Sequence, residues 1–507
     1  MLFNSFDFIF GFLPFTLLAY WLLRRADLMV LANLSLLVAS LVFYYFGEKN
    51  YPLLILLSIA FNYAMGRLIS SGAAPGRLAL AAGIAIDLLT LSYFKYSNFV
   101  VENIRHFAPS LPPMHHVELP IGISFFTFTQ IAYLVDCHLK KAKDYELTSY
   151  GLFVTFFPHL IAGPILHHAE MMPQFMRRTL GRIAEHLSAG LGMFAIGLFK
   201  KTVVADSVAS VVSELFGDAM RGHDPTLLPA WVAALGYTVQ IYFDFSGYSD
   251  MAIGLARMFG IDLPVNFNSP YKARSIADFW RRWHITLSRF LRDYLYIPLG
   301  GNRTGKARRY LNLIITMVLG GLWHGAAWNF VLWGAIHGVF LAIELLFIQA
   351  WKLSRIPLKP PAGFGRIGTL AIVIFAWVPF RAADLSTTLR IWSGMFGCNG
   401  AVLPVEWPMI PKLAMRLGLP TGYIDIHPLM ILMILAALLA TLTLPNSQQL
   451  MRRFALGLDS PGYDALRPGP EGWEARRSLF WAAFLGVTLG VALVYIGGYS
   501  EFIYFQF

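Results

Sequence analysis

Stretches of about 20 consecutive, predominantly apolar residues recur along almost the whole chain. Such a stretch forms a helix long enough to cross a membrane, and a bilayer admits few other spanning structures because backbone hydrogen bonds must be made internally. The windows that fit lie at 8–23, 28–46, 51–69, 78–94, 119–136, 147–166, 187–205, 227–245, 310–330, 331–348, 366–380, 428–444 and 478–498. We therefore predict an all-α, polytopic integral membrane protein with about 10–13 membrane segments.

The composition agrees with this class, because 57% of the 507 residues are hydrophobic and only 14% are charged. One soluble core would not bury so much apolar surface. The net charge of +11 comes from basic residues in short connecting segments, which is typical of cytoplasmic loops and indicates no nucleic-acid partner. These residues are Arg24/Arg25, Arg67/Arg77, Lys140/Lys141/Lys143, Lys352/Arg355/Lys359/Arg366 and Arg452/Arg453 to Arg476/Arg477.

The first apolar segment is predicted to remain in the mature protein. It has no basic region before it and no small-residue cleavage site, and Arg24 and Arg25 follow it. Its N-terminus is therefore expected outside the cytoplasm. The same charge rule places the C-terminus outside, after the segment at 478–498.

Neither the cysteines nor most histidines follow a metal-ligand pattern. Cys137 and Cys398 are too few for a thiolate site and are expected to pack as small apolar residues. His167 and His168 lie near Glu170, but no second cluster accompanies them. We predict no metal and no bound cofactor.

The segment 246–309 is too polar to span the membrane cleanly and too aromatic for an ordinary loop. Apolar residues recur at spacings of three and four from Ser275 to Leu295, which predicts an amphipathic helix that is basic on one side. Such a helix usually lies at the membrane interface. His284 falls among its apolar positions, next to Trp283, where a lone histidine is more often a structural residue than a catalyst.

A second histidine, His324, lies in LGGLWHGAAWNFVLWGAIHG (319–338), a segment otherwise suited to lipid-buried helix. Each of the two histidines follows a tryptophan, and Gly325 comes directly after His324. Glycine removes side-chain bulk and allows a backbone or substrate to approach closely. The pattern is typical of a narrow tunnel with a base in its wall. His337, later in the same segment, is interpreted as structural.

Four long motifs carry a family resemblance. WRRWHITLSRFLRDYLYIPLGGNR (280–303), GGLWHGAAWNFVLWGAIHG (320–338), YFDFSGYSDMAIG (242–254) and FFPHLIAGPI (156–165) closely resemble the membrane-bound O-acyltransferase family. Within it the chain is similar to the bacterial alginate O-acetyltransferase branch, which is akin to proteins that acetylate peptidoglycan or cellulose and to those that D-alanylate teichoic acid. The resemblance is strongest from 150 to 340, and residues 386–427 match no motif.

The resemblance implies a ring of tilted helices around a thinned centre, with a tunnel joining the two faces of the membrane. It further implies one membrane-embedded domain, 1–507. Its parts would be N-terminal helices at 1–145, a catalytic core at 146–350, C-terminal helices at 351–498 and an external aromatic tail at 499–507.

By the same resemblance His324 is the catalytic residue and His284 its partner. Acyl transfer from a thioester requires a hydroxyl to lose its proton as it attacks, and a neutral imidazole is the usual base. His324 is expected to be buried and therefore neutral, because charge is unfavourable in a low dielectric. His284 would orient the hydroxyl or bind the developing oxyanion. No serine nucleophile is expected, since GxSxG is absent. Tunnel-lining or supporting roles fall to Trp323, Gly325, Trp283, Ser288, His159 and Asn329.

The last six residues, FIYFQF, contain Tyr504. An aromatic belt at the membrane interface explains such residues by composition alone. The hexapeptide also resembles a C-terminal motif of several bacterial family members or their small partner subunits, which implies that Tyr504 carries the acyl group. A phenol is a better leaving group than an alkyl alcohol, so its aryl ester suits a relay.

We therefore expect a bacterial inner-membrane O-acyltransferase, most simply an O-acetyltransferase, with both termini periplasmic. It would move an acyl group from a cytoplasmic thioester, acetyl-CoA or an acyl carrier protein, for O-acetylation of a polysaccharide such as alginate, cellulose or peptidoglycan. A periplasmic acetyltransferase or esterase-like protein is the expected partner. The alternatives are a polysaccharide or ion transporter, which often shows a repeated half, and a di-iron hydroxylase, which needs dense histidine boxes. Neither feature is found in the sequence.

Overall fold

The structure is a computed structural model. It describes residues 1–498 except 72–74, 110–115, 143–145, 179–180, 304, 354–361, 408–411, 413–415, 417, 419, 423, 455, 459–473 and 476–477. The regular secondary structure of these residues is helical apart from one parallel pair of two-residue strands, Leu403–Pro404 and Thr421–Gly422. The predicted all-α class is confirmed.

The described residues form two compact units. The first consists of Met1–Leu198, Tyr248–Asn266 and Ser447–Ile496, and the second is made chiefly of Phe199–Gly247 and Phe267–Asn446. The sequence-based prediction of one domain rests on the family resemblance. Both candidate catalytic histidines belong to the second unit.

The first unit contains the N-terminal helices. They are Asp7–Phe12 (a π-helix), Leu13–Arg25, Met29–Gly47, Pro52–Ser71, Gly76–Phe107, Ile123–His138, Leu147–Thr155, Phe157–Leu160, His168–Phe175 and Ile183–Phe199, joined by the end of Leu227–Met258 and by Ser447–Leu450, Arg452–Phe454 and Leu479–Val494. Two of its helices meet at Gly190 and Gly254, where a Cβ on Gly190 would lie 2.5 Å from the carbonyl oxygen of Gly254. Small residues at this crossing therefore allow the backbones to touch.

The second unit contains the elements that hold the site. They are Lys200–Ala205 (a π-helix), Asp206–Met220, Leu227–Met258, Pro270–Lys272, Ile276–Trp280, Ile285–Leu291, Arg292–Tyr296 (a π-helix), Lys306–His324, Trp328–Leu353, Ala362–Arg381, Leu385–Met395 and Pro428–Thr443. Its core is aromatic and aliphatic, and the fully buried side chains include Tyr237, Trp333 and Trp377.

Six helices in the described part of the chain are long and apolar enough to cross a membrane. They are Asp7–Arg25, Met29–Gly47, Pro52–Ser71, Gly76–Phe107, Ile183–Met220 and Trp328–Trp351, with two shorter apolar helices at Pro428–Thr443 and Leu479–Val494. Every other predicted window also contains helix, but several of these helices are short or broken. Helix Ile123–His138, for example, has 16 residues, and the window at 147–166 contains two separate helices.

The prediction of one amphipathic helix from Ser275 to Leu295 is wrong. The chain forms helix Ile276–Trp280, a turn, helix Ile285–Leu291 and then a π-helix. The amide of Asn268 donates to the carbonyl of Arg282 at 2.9 Å. The Arg282 side chain is held by Asp278, whose Oδ1 lies 2.9 Å from Nε. A contact with the preceding loop therefore replaces the helical hydrogen bonding at this point.

Candidate active site

His324 is the last residue of helix Lys306–His324, and its side chain is buried. The helix ends there because Gly325 is extended, with φ −158°. A Cβ on Gly325 would lie 2.1 Å from Cε2 of Phe330, so only glycine allows this ring to close over the turn. Phe330 packs against Phe380, whose ring contacts His324 at a centroid distance of 5.1 Å.

The next helix, Trp328–Leu353, packs directly against the helix that carries His324. A Cβ on Gly321 would lie 2.1 Å from the carbonyl oxygen of Phe330, and one on Gly334 would lie 2.3 Å from that of Met317. The two backbones are therefore in contact over about two turns, as in small-residue helix pairs of membrane proteins. This contact fixes the position of His324 relative to the second helix.

His284 is the residue just before helix Ile285–Leu291 and is 1% exposed. Its backbone is left-handed, with φ 42° and ψ 55°, a conformation that is uncommon for any residue other than glycine. The ring of Phe245 meets the imidazole edge-on at 4.7 Å. Strained backbone of this kind is found most often at functional sites, where surrounding contacts maintain it.

The structure brings the two histidines together. Their ring centroids are 6.4 Å apart, and Trp323 contacts both, at 5.0 Å from His324 and 6.3 Å from His284. The two rings are therefore close enough for one hydroxyl group to contact both, as general acid–base catalysis by the pair would require. In the sequence the two histidines are separated by 39 residues, and only the family resemblance had paired them.

His324 also forms part of the wall of a small cavity. The cavity measures about 10 Å³, close to the smallest volume that holds one water molecule. Its other walls are apolar or aromatic: Ile241, Phe245, Trp283, Trp333, Trp377 and Phe380. Such walls exclude bulk water and favour the uncharged imidazole, the form that accepts a proton.

Three of the predicted supporting residues have structural contacts close to the histidines. Trp283 lines the cavity. The Ser288 hydroxyl donates to the carbonyl of Trp283 at 3.3 Å, and the Asn329 amide donates to the carbonyl of Ala382 at 2.7 Å. Ser288 and Asn329 therefore bind backbone carbonyls and have structural roles.

Two further histidines singled out in the sequence, His159 and His337, have other surroundings. His159 belongs to the first unit, where its Nε2 donates to the carbonyl of Phe153 at 2.9 Å. His337 is buried and stacks on Phe279 at 6.0 Å, with Trp333 edge-on at 5.0 Å. Tyr504 lies outside the described residues, so its predicted role stays a prediction.

The two carboxylates of the motif YFDFSGYSD each pair with neighbouring side chains in the folded protein. Asp244 and Asp206 bind Lys201, whose Nζ lies 2.6 and 2.7 Å from their Oδ1 atoms. Asp250, in the first unit, accepts hydrogen bonds from Ser447 and Gln448. Buried charges need such pairing in a membrane protein, and these contacts explain the motif's acidic residues without a catalytic step.

Most of the cavity's aromatic wall was missed from sequence. Trp377 and Phe380 lie in AWVPF (376–380), on a helix that also contains Pro379. A proline and a tryptophan within an otherwise aliphatic span were the available signal, since irregular backbone and amphipathic rings at membrane depth tend to face protein or a cavity. The other three, Ile241, Phe245 and Trp333, are indistinguishable in sequence from ordinary apolar helix residues.

Within the described residues, no group of three or more histidine, cysteine, aspartate or glutamate side chains is arranged to hold a metal ion. His168, considered for metal binding in the sequence, pairs with Asp136 at 3.0 Å between Nδ1 and Oδ2. This pair accounts for the burial of both side chains.

Comparison with known proteins gives the same family as the motifs. The profile of the membrane-bound O-acyltransferase family, MBOAT, matches residues 10–380. The chain is 42% identical over 432 residues to a peptidoglycan O-acetyltransferase of Helicobacter pylori, covering 80% of this chain and 81% of that protein.

Two further relatives extend the range of acceptors. The chain is 43% identical over 405 residues to a protein named probable alginate O-acetylase AlgI of Pseudomonas aeruginosa, covering 78% of this chain and 75% of that protein. It is 27% identical over 259 residues to a teichoic acid D-alanyltransferase of Bacillus subtilis, covering 49% of this chain and 64% of that protein. The substrates in the names of these three relatives are peptidoglycan, alginate and teichoic acid.

Proposed function

The chain belongs to the membrane-bound O-acyltransferase family, and from this premise we propose that it transfers acetyl groups from a cytoplasmic thioester to an extracellular or cell-wall polysaccharide. That it is a membrane O-acyltransferase follows from the family and from relatives 42–43% identical. The observation that carries the catalytic part of the proposal is the buried pair His284 and His324, 6.4 Å apart beside an aromatic cavity.

In the proposed step the acceptor hydroxyl lies between the two rings and attacks the thioester carbonyl. His324 accepts the hydroxyl proton as the C–O bond forms, and His284 binds the oxygen on which negative charge develops. The C–S bond then breaks, and His324 returns the proton to the leaving thiolate. The reaction needs no metal and no further co-reactant.

The donor is proposed to be acetyl-CoA or a loaded carrier protein, bound at the basic segment around helix Ile285–Leu291. Arg281 and Arg292 have side chains 60% and 40% exposed, and each lies beside an aspartate, Asp278 or Asp293. Exposed guanidinium groups suit either the phosphates of CoA or an acidic carrier surface. Assays with each donor in turn distinguish the two sources.

Tyr504 is proposed to receive the acetyl group first and pass it on. A phenolate leaves more readily than an alkoxide, which favours the second transfer to a sugar or serine hydroxyl of an external partner. After incubation with isotope-labelled acetyl donor, mass spectrometry of the C-terminal peptide should find the label on Tyr504. Tyr504→Phe keeps the ring and loses only the hydroxyl. Normal polymer acetylation by this variant would remove the relay from the mechanism.

The catalytic assignment is tested with His324→Ala in membrane vesicles. We expect acetyl transfer to fall by about 10²–10⁴-fold, the usual contribution of a general base, and His284→Ala to impair it strongly. Insertion should not change, since one residue does not decide the topology of so apolar a segment. Transfer is measured at matched protein levels by label incorporation.

His223→Ala serves as the control, because the His223 side chain is 75% exposed. Its Nδ1 lies 4.0 Å from Oδ1 of Asp218, which is longer than a hydrogen bond. It should transfer acetyl groups at the normal rate. Near-normal transfer by His324→Ala would show that the base lies elsewhere. Metal-dependent turnover, or transport without acyl chemistry, would overturn the function itself.

The acceptor is identified in a deletion strain. The relatives acetylate, by their names, peptidoglycan or alginate, and ester content should fall in one of the corresponding polymers here. Wild-type protein should restore the esters and His324→Ala should not. If neither polymer loses acetyl esters, the proposal of a polysaccharide acceptor is wrong. The proposal of acyl transfer would then be judged separately, by thioester turnover of the purified protein.

A further inference from the structure

A groove in the first unit lies apart from the residues discussed so far. It measures about 610 Å³ and runs between helix Ile183–Phe199 and helix Leu479–Val494. The lining residues are Ser188, Leu191, Gly192, Ala195, Phe454, Ser478, Leu479, Trp481, Ala482, Leu485, Gly486 and Leu489. This volume lies within the range of about 300–1,000 Å³ that is usual for small-molecule sites.

The groove exists because small residues line the facing helices. Ala195 and Gly486 carry little or no side chain on the lining, and Gly192 packs closely enough that an added Cβ would lie 3.1 Å from Cδ1 of Leu485. A Cβ on Gly486 would meet no atom within 4 Å, so the space beside it is open. Leu485 and Leu489 make the remainder apolar, which suits a hydrocarbon chain.

One end of the groove is polar and basic. Ser478 lines it at the beginning of helix Leu479–Val494, and Phe454, another lining residue, directly follows Arg452 and Arg453 in the chain. Both guanidinium groups contact Glu474, at 3.2 and 2.8 Å, and their side chains are 46% and 52% exposed. Two arginines share one carboxylate, so this end keeps an excess positive charge facing solvent.

The charge at this end persists at neutral pH. The hydrogen bond from Arg453, together with that from Arg452, lowers the pKa of the Glu474 carboxyl below its usual range. The carboxylate is therefore ionised over the physiological range, and the cluster has a net charge of one positive unit. An anion of two negative charges, or one with several acceptor oxygens, would complete its hydrogen bonding.

We propose that this groove binds an anionic phospholipid, with one acyl chain between the two helices and its phosphate on Arg452 and Arg453. The groove is apolar and has arginines near one end. An anionic phospholipid has the matching arrangement, an apolar chain that ends in a negatively charged headgroup. Basic residues near the bilayer surface attract anionic lipid headgroups. The inference does not depend on the acyl-transfer mechanism, since none of these residues is placed in it.

The test compares two glycine variants on one helix. Gly486→Leu places a side chain in the groove without a backbone clash. Gly490→Leu is the matched control, because its Cβ also meets nothing within 4 Å and Gly490 does not line the groove. The proteins are purified in mild detergent and titrated with phosphatidylglycerol or phosphatidylcholine, and bound lipid is counted by native mass spectrometry.

We expect wild type and Gly490→Leu to retain phosphatidylglycerol in preference to phosphatidylcholine, and Gly486→Leu to lose about tenfold or more in affinity. The double variant Arg452→Gln, Arg453→Gln should lose the preference for phosphatidylglycerol, because it leaves the Glu474 carboxylate as the only charge of the cluster. Equal binding of the two lipids by wild type would overturn the anionic assignment. Unchanged binding by Gly486→Leu would show that the lipid lies elsewhere. His324→Ala should bind lipid normally, which separates this inference from the catalytic one.

Discussion

At the scale of single residues, His284 combines a chemical group with a strained backbone. A left-handed φ is unfavourable for residues with a Cβ by about 1–3 kcal/mol, and the aromatic contacts of the buried ring help to maintain it. The strain and the side chain can be separated by substitution. Glycine removes both, whereas alanine removes the imidazole and keeps the strain.

We predict that His284→Gly will be more stable than His284→Ala by about 1 kcal/mol, because glycine adopts positive φ without strain. Both variants should transfer acetyl groups poorly, since both lack the imidazole. The check is the midpoint of thermal unfolding in detergent, measured at one fixed scan rate, beside the transfer assay. A glycine variant that melts below the alanine variant would contradict the left-handed conformation at this position.

At the scale of elements, the position of His324 depends on the contact between helices Lys306–His324 and Trp328–Leu353. Gly321 lies three residues before His324, at the point where the backbones touch. Any side chain there pushes the helices apart and moves the His324 ring. The tightness of this pair, together with the turn at Gly325, therefore decides where His324 lies.

Gly321→Ala is expected to lower both stability and activity. Overpacking of this kind usually destabilises by about 1–3 kcal/mol, which exceeds the gain of about 1 kcal/mol in helix propensity. Gly368→Ala, in helix Ala362–Arg381, is the matched control because its Cβ meets nothing within 4 Å. It should be neutral or slightly stabilising. Thermal unfolding and acetyl transfer are measured for both, and equal effects would mean that the contact at Gly321 is not required.

At the scale of the whole molecule, the direction of transfer depends on topology. The clusters of arginine and lysine predict cytoplasmic loops, and both termini are proposed to be periplasmic. The chain has two cysteines, of which Cys137 is buried and Cys398 exposed. Cys398 lies between the apolar segments at 366–380 and 428–444, in a loop that the charge rule places outside.

Cys398 should therefore react with a membrane-impermeant maleimide in intact spheroplasts. Replacing it by serine and introducing Arg453→Cys should move the reactive site to the cytoplasm, so that labelling requires permeabilised membranes. The extent of labelling is read from the mass shift of the purified protein. Labelling of Cys398 only after permeabilisation would invert the proposed orientation and with it the direction of acetyl transfer.

Sequence by itself determined the class of the protein and two of its catalytic candidates. The apolar windows predicted helices because a membrane helix depends only on a local run of apolar residues and on the thickness of the bilayer. The motifs around His324 and His284 indicated the family, which the comparisons confirm. The glycine after His324 also predicted a close approach, since absence of a side chain is itself a local property.

Only the tertiary structure decided how these pieces meet. Periodicity predicted one helix through His284, but a hydrogen bond between Asn268 and Arg282 breaks it, and no helix-period pattern registers a partner 14 residues away. Trp377 and Phe380 approach His324 through packing between helices that are distant in sequence. Apolar residues in a membrane helix look alike whether they face lipid, protein or a cavity. The residues that surround His324 are therefore determined by packing between distant parts of the chain, and the local sequence does not indicate them.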